Sequence, residues 1–191
     1  MIAKKTTRKL TLAEIKAELA EVGRIGQVFV DGDLCRNAYQ PYADTFMTGD
    51  DMDFNPETAL PLKKTLLRLE RVSRVPCSTT LWRRRPDDPS SGEALFFGTA
   101  SSPLAGGKPG NRGYRPPKMT PELKAVFLEG KTVTKVDRKH VGAALTMYDR
   151  GQAARCKDVK APCIVERFVP IRDSMGEIAA VLEVFAAAVG R

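Results

Sequence analysis

Cys163–Ile171 (CIVERFVPI) and Glu177–Phe185 (EIAAVLEVF), joined by Asp173-Ser-Met-Gly176, decide the fold. In the first run Cys163, Val165, Val169 and Ile171 alternate on one side with Arg167 between them. In the second, Ile178, Ala180, Leu182 and Val184 share a side. Alternation with period two is the mark of a strand packed on one face. Two such runs around a short turn containing glycine predict a terminal β-hairpin.

Working back from this hairpin, Ala143–Tyr148 and Lys131–Asp137 (KTVTKVD) read as strands. Before them, Thr120-Pro121 supplies a helix cap and first-turn proline, Gly130 a stop, and Leu123, Val126 and Phe127 a core side. Residues 100–118 form a loop rich in Gly, Pro and Ser that carries Lys108, Arg112, Arg115 and Lys118 without an acidic residue. Val75–Arg83 and Glu93–Thr99 predict a second hairpin, connected by the turn chemistry of residues 85–92. Leu62, Leu66 and Leu69 give Leu60–Ser73 one apolar helical face, with Pro61 in its first turn.

At the amino end, Thr11-Leu-Ala-Glu14 is a capping box, and Ile15, Leu19 and Val22 continue a helix from Leu12 to a stop at Gly23. The following Gly26–Arg36 predicts a short hairpin about Asp31-Gly32, with continuation of the helix as the competing reading. Acidic Asp44–Glu57 lacks the ligand spacing of a calcium loop and reads as a solvated loop. Strands adjacent in sequence point to an antiparallel sheet with helices packed on one side, an α+β fold. The chain is one domain overall, with residues 1–59 packing on a core of residues 60–191.

Composition sets the wider bounds. The chain has 191 residues, 42% hydrophobic and 28% charged, which suits a globular domain and excludes a disordered acidic tail or a collagen-like repeat. The longest apolar run, Ile178–Val189, is broken by Glu183 and is too short to span a bilayer. No secretory apolar segment follows the basic start, so with Met1 as the initiator the expected location is cytoplasmic. Cys35, Cys77, Cys156 and Cys163 form no C-x-x-C pair, and free thiols are expected. The net charge of +8 permits attraction to phosphate or acidic ligands without demonstrating it.

The stretch Glu166–Val184 (ERFVPIRDSMGEIAAVLEV) resembles the last two strands of Cache and PAS-like sensor domains, and GAF domains end in a comparable hairpin. More loosely, residues 60–185 follow the layout of such a domain: helix, two strands, loop, short helix, strand, hairpin. The resemblance implies a five-stranded antiparallel sheet with flanking helices and a small-molecule pocket on one face. Two departures stand beside it: Cache domains usually lie between membrane helices, and sensor domains usually precede an output domain. In amino-acid-binding Cache relatives an aromatic and an arginine contact the ligand, and a later acidic residue holds its amine. The resemblance sets Tyr114 with Arg115, and Tyr148 with Asp149, in those places, although Pro116 and Pro117 replace the aromatic after the arginine.

On a strand, Trp82 and Arg84 point the same way. An arginine fork can grip a carboxylate while the indole forms an apolar wall. The alternative is a solvated basic strand end paired with Asp87 and Asp88. His140, the only histidine, has no G-x-S-x-G elbow to serve and reads as a surface residue. Cys156, Cys163 and His140 are too loosely spaced for structural zinc, and Gly106-Gly-Lys-Pro-Gly110 lacks the phosphate-loop spacing. No base, nucleophile and oxyanion donor can be assembled, so an enzyme is not expected, nor is a cofactor or metal.

The expectation is therefore a stand-alone cytoplasmic sensor-type domain that binds a small anionic or polar ligand and signals through a homodimer or partner protein. Trp82, Arg84, Tyr114, Arg115, Tyr148 and Asp149 would be its binding residues, without membrane insertion. Two alternatives stay open. The basic residues from Arg83 to Lys118 could bind nucleic acid, with Trp82 or Tyr114 stacking a base. The third reading is a structural or protein-interaction module without a ligand.

Overall fold

The computed structural model describes residues 10–38, 56–84, 90, 92–97, 119–139, 142 and 152–190. Helices α1 (Leu12–Phe29), α2 (Gly32–Asn37) and α3 (Pro56–Val72) precede strands β1 (Ser78–Arg84) and β2 (Gly92–Phe97). Helix α4 (Pro121–Glu129) is followed by β3 (Val133–Asp137), β4 (Ala153–Arg155), β5 (Cys163–Arg172) and β6 (Ile178–Val189). The fold is α+β. Five strands run antiparallel in the order β2-β1-β6-β5-β3, and short β4 lies parallel to β6. The terminal hairpin thus forms the sheet's centre, with β6 paired to β5, β1 and β4.

One sheet face carries Leu81, Val165, Val169, Leu182 and Val184 against Ile15, Leu19 and Val22 of α1, Cys35 of α2, and Leu62, Leu66 and Leu69 of α3. The other carries Trp82, Phe168 and Val181 against Leu123, Val126 and Phe127 of α4. Helices therefore cover both faces, whereas the strand pattern predicts one. The α4 segment packs opposite α1–α3 because its apolar stripe meets residues of the other strand parity. Among the described residues no helix is long and apolar enough to cross a membrane.

Helix α1 begins at the expected capping box: Thr11 accepts from the Glu14 amide at 3.1 Å, and Glu14 accepts from the Thr11 amide at 2.7 Å. Asp158 adds a second anchor by accepting from the Leu12 amide at 2.9 Å. The helix does not stop at Gly23 and no hairpin follows. It runs to Phe29, and Asp31 then caps α2 by accepting from the amides of Asp33 and Leu34. The glycines serve packing rather than turning. A Cβ on Gly26 would lie 2.2 Å from Leu182 Cδ2, so only glycine lets α1 approach β6 this closely.

Helix α3 starts a turn before the expected boundary, which leaves Pro61 inside it rather than in the first turn. Thr65 Oγ1 donates to the Pro61 carbonyl. Helix α4 fits its caps: Thr120 accepts from the Leu123 amide, and Gly130 closes the helix at φ 66°. The expected acidic loop falls largely on residues 39–55, the basic loop on residues 100–118 and one strand on residues 143–148. These stretches lie outside the described residues, as does His140.

Candidate functional site

Along β1 the side chains divide between the two faces. Thr79 faces the helices, where its amide and hydroxyl donate to Glu70 Oε1 at 2.7 and 2.9 Å. Thr80 and Trp82 face the α4 side by alternation. The ladder registers then build rows across that face. Val133, Phe168, Glu183 and Thr80 are aligned on β3, β5, β6 and β1, and the next row is Lys135, Glu166, Phe185 and Ser78. Asp137, Ile164 and Ala187 make a third row.

These rows place a polar band between two apolar clusters. On one side lie Trp82, Phe168 and Val181 with α4; on the other lie Ile164, Phe185 and Ala187. Within the band Glu183 and Thr80 are both 0% exposed, and Glu166 and Asp137 are buried. Trp82 Nε1 donates to Glu183 Oε2 at 2.6 Å. Glu183 Oε1 and Thr80 Oγ1 have no hydrogen-bond partner. Unpaired buried polar atoms of this kind are rare in native proteins.

Burial pushes the Glu183 carboxyl up to about 8, and the neighbouring charge of Glu166 adds to the rise. The Trp82 hydrogen bond and Lys135 oppose it without cancelling it. At neutral pH the carboxyl is therefore largely protonated. Lys135 Nζ lies 3.3 Å from Asp137, 3.5 Å from Glu122 and 3.6 Å from Glu166. Its burial favours the neutral amine, but the carboxylates of Glu166, Glu122 and Asp137 outweigh this and hold its pKa above the ordinary value. Among the described residues three carboxylates, Glu122, Asp137 and Glu166, thus share one ammonium.

Trp82 is buried in this band. Arg84 is exposed at the end of β1. The indole N–H turns to a carboxyl, and the buried polar groups around it are acidic instead of basic. Tyr114, Arg115, Tyr148 and Asp149 lie outside the described residues.

Sequence reasoning missed Thr80, Lys135, Glu166 and Glu183 as site residues. The available signal was Glu183 itself, a carboxylate inside an otherwise apolar run. A charged residue on a central strand must find a partner or shift its protonation. Among the described residues, no three His, Cys, Asp or Glu side chains converge in a way that could hold a metal ion. No protein-family model, curated protein or solved structure matches the chain.

Proposed function

We propose that this chain is a small-molecule-binding domain of the sensor type, resembling Cache and PAS-like domains, that acts in the cytoplasm through contact with a second copy or a partner protein. The observation that carries the reading is the pair of buried acceptors without partners, Glu183 Oε1 and Thr80 Oγ1, on the α4 face of the sheet. Leaving a buried polar group unpaired costs roughly 1–3 kcal/mol, a cost a purely structural core avoids by using apolar residues. The element order from α3 through the β5–β6 hairpin also agrees with the layout the resemblance implies.

A route from ligand to output follows from β6. Glu183 faces the polar band, while its neighbour Leu182 packs against α1 at Gly26. A displacement of β6 on binding is transmitted to α1 through this close contact. The hairpin turn is tied to α2, where Arg36 Nε donates to Asp173 Oδ2 and Asp33 accepts from Ser174 Oγ at 3.1 Å. Motion at the band therefore reaches both amino-terminal helices, whose outer surfaces would carry the signal.

The test uses Trp82, the only tryptophan of the chain, as an intrinsic fluorescent reporter. The full chain is titrated with small carboxylates, amines, purines and a mixed-sequence oligonucleotide, with unfolding temperature measured in parallel. A saturable fluorescence change with one chemical class is expected. At 100 times the dissociation constant it should be accompanied by about 2.7 kcal/mol of stabilisation, a rise of several degrees. A response confined to the oligonucleotide and abolished by salt would transfer the function to nucleic-acid binding.

A further inference from the structure

We infer that the group recognised at the polar band is a cationic nitrogen with several N–H donors, an ammonium or amidinium, seated between Glu183 Oε1 and Thr80 Oγ1. This rests on the ligand-binding reading above and narrows it to a substrate class. Three observations select the class. First, two of the buried atoms without a hydrogen-bond partner, Glu183 Oε1 and Thr80 Oγ1, sit on residues directly opposite in the β1–β6 register. Cross-strand neighbours of this kind have Cβ atoms about 4.5–5.5 Å apart, so one nitrogen can donate to both.

Second, the charge around them is acidic. On the same sheet face Glu166 lies diagonally from Glu183 on β5, Asp137 and Lys135 come from β3, and Glu122 from α4, while β1 contributes Thr80 and Trp82, which do not titrate near neutrality. Among the described residues Lys135 supplies one positive charge against the carboxylates of Glu122, Asp137 and Glu166, with Glu183 neutral until it loses its proton, so the band repels an anion and favours a cation. Third, the Trp82 indole already donates to Glu183 Oε2, which leaves Oε1 as the oxygen that needs a donor once the carboxyl has lost its proton. Phe168 and Val181 flank the position and suit an apolar group attached to the cation.

Binding moves one proton. The Glu183 carboxyl gives up its hydrogen to solvent, the carboxylate accepts from the incoming N–H, and the ligand keeps its own charge. The raised pKa of Glu183 then makes affinity depend on pH, rising about tenfold from pH 6 to pH 7 and flattening above about pH 8.

The experiment titrates the full chain with benzylammonium and benzamidinium, with benzyl alcohol and benzamide as neutral counterparts and benzoate as the anion. Trp82 fluorescence reports binding. Calorimetry in two buffers of different ionisation enthalpy reports proton release. The cations should bind at least tenfold more tightly than their neutral counterparts, releasing close to one proton at pH 7. Glu183→Gln should lower cation affinity about 10–100-fold and remove both the proton release and the pH slope. Thr80→Val should weaken binding several-fold and keep the slope, which provides a test if either variant folds poorly. Equal or tighter binding of benzoate or of the neutral compounds overturns the cation class and leaves the ligand-binding reading standing. No fluorescence response to any member of the panel overturns the cation class and assigns the two atoms to bound water, while the ligand-binding reading stands or falls with the wider titration above.

Discussion

Trp82 and Glu183, 101 residues apart in sequence, are joined by a 2.6 Å hydrogen bond from the indole Nε1 to Oε2 across the β1–β6 ladder. Trp82 stands opposite Val181 and Thr80 opposite Glu183, so the bond runs diagonally over one register step. Replacing Trp82 by Phe keeps most of the apolar contact with Phe168 and Val181 but removes the donor. Both oxygens of Glu183 are then without a partner. Denaturation followed by circular dichroism should show a loss of about 1–3 kcal/mol at pH 7. The Glu183 pKa should rise further, because the indole bond is one of the interactions that hold it down. An unchanged stability would show that the bond contributes nothing net.

Glu183 also predicts how the fold responds to pH. Its carboxyl is pushed from an ordinary 4.5 to about 8 in the folded chain, first by burial and then by Glu166. Below about pH 4.5 both folded and unfolded chains hold the proton, and the contribution is fully favourable. Between 4.5 and 8 only the folded chain holds it, so stability falls as pH rises, and above 8 the loss levels off. The accumulated effect is of the order of a few kcal/mol. Other groups titrate in the same range, so the informative quantity is the difference between the wild type and Glu183→Gln. The difference should widen in favour of the variant from pH 5 to pH 8.5, and a constant difference would refute the assignment.

The close approach of α1 and α2 to the sheet makes two glycines sensitive to a single methyl group. At Gly26 the added Cβ meets a side-chain atom, Leu182 Cδ2, at 2.2 Å. Leu182 is fully buried and has little room to withdraw. At Gly32 the added Cβ would lie 2.2 Å from the Arg172 backbone oxygen, which cannot rotate away. Alanine in place of Gly26 gains about 1 kcal/mol of helix propensity but overpacks by about 1–3 kcal/mol. Gly32→Ala should therefore be the more damaging of the two in urea titrations, and Gly26→Ala the milder.

How much of this was legible follows from where the determinants lie. The α+β class was readable because alternation in β5 and β6, and the leucine spacing of α3, are local patterns. The end of α1 was misplaced because Gly23 looks like a stop signal, and Gly26 like the start of a hairpin, until the strands they approach, carrying Val169 and Leu182, are known. The sheet position of β4 rests on a parallel pairing of Ala153–Arg155 with Ala187–Val189, and three residues offer too little pattern to read. The site was half legible. Trp82 could be picked out as the sole tryptophan on a strand, but its partner could not, since Thr80, Glu166, Lys135 and Glu183 come from four strands and converge only through register. Arg84 was assigned by alternation, which gives a face but not burial.

The cysteines are predicted to be inert in the folded chain. All four are free. Burial pushes Cys35 and Cys77 up to about 12 and Cys156 up to about 11, and raises Cys163 as well. Because the thiolate is the reactive form, iodoacetamide at pH 7.5 should label none of them at the rate of a free thiol. All four should react once the chain is unfolded in urea. Rapid native labelling of Cys35 or Cys163 would mean that the packing against α1–α3 opens more readily than its burial implies.

A last prediction separates two parts of one ion pair. Glu18, buried on α1, accepts from the Arg74 backbone amide at 2.7 Å and from Arg74 Nε at 2.8 Å, clamping the turn after α3 to α1. The Arg74 side chain is 84% exposed, so solvent screens its charge. Arg74→Ala keeps the backbone bond and should cost less than about 1 kcal/mol. Glu18→Ala removes the acceptor of both bonds and leaves the amide at the α3–β1 junction without its partner, at a cost of about 1–3 kcal/mol. Because β1 starts a few residues beyond Arg74 and carries Thr80 and Trp82, the Glu18 variant should also loosen the polar band. Hydrogen exchange would report it as faster exchange of the Trp82 amide in Glu18→Ala than in Arg74→Ala. Equal exchange in the two variants would confine the clamp's effect to the turn.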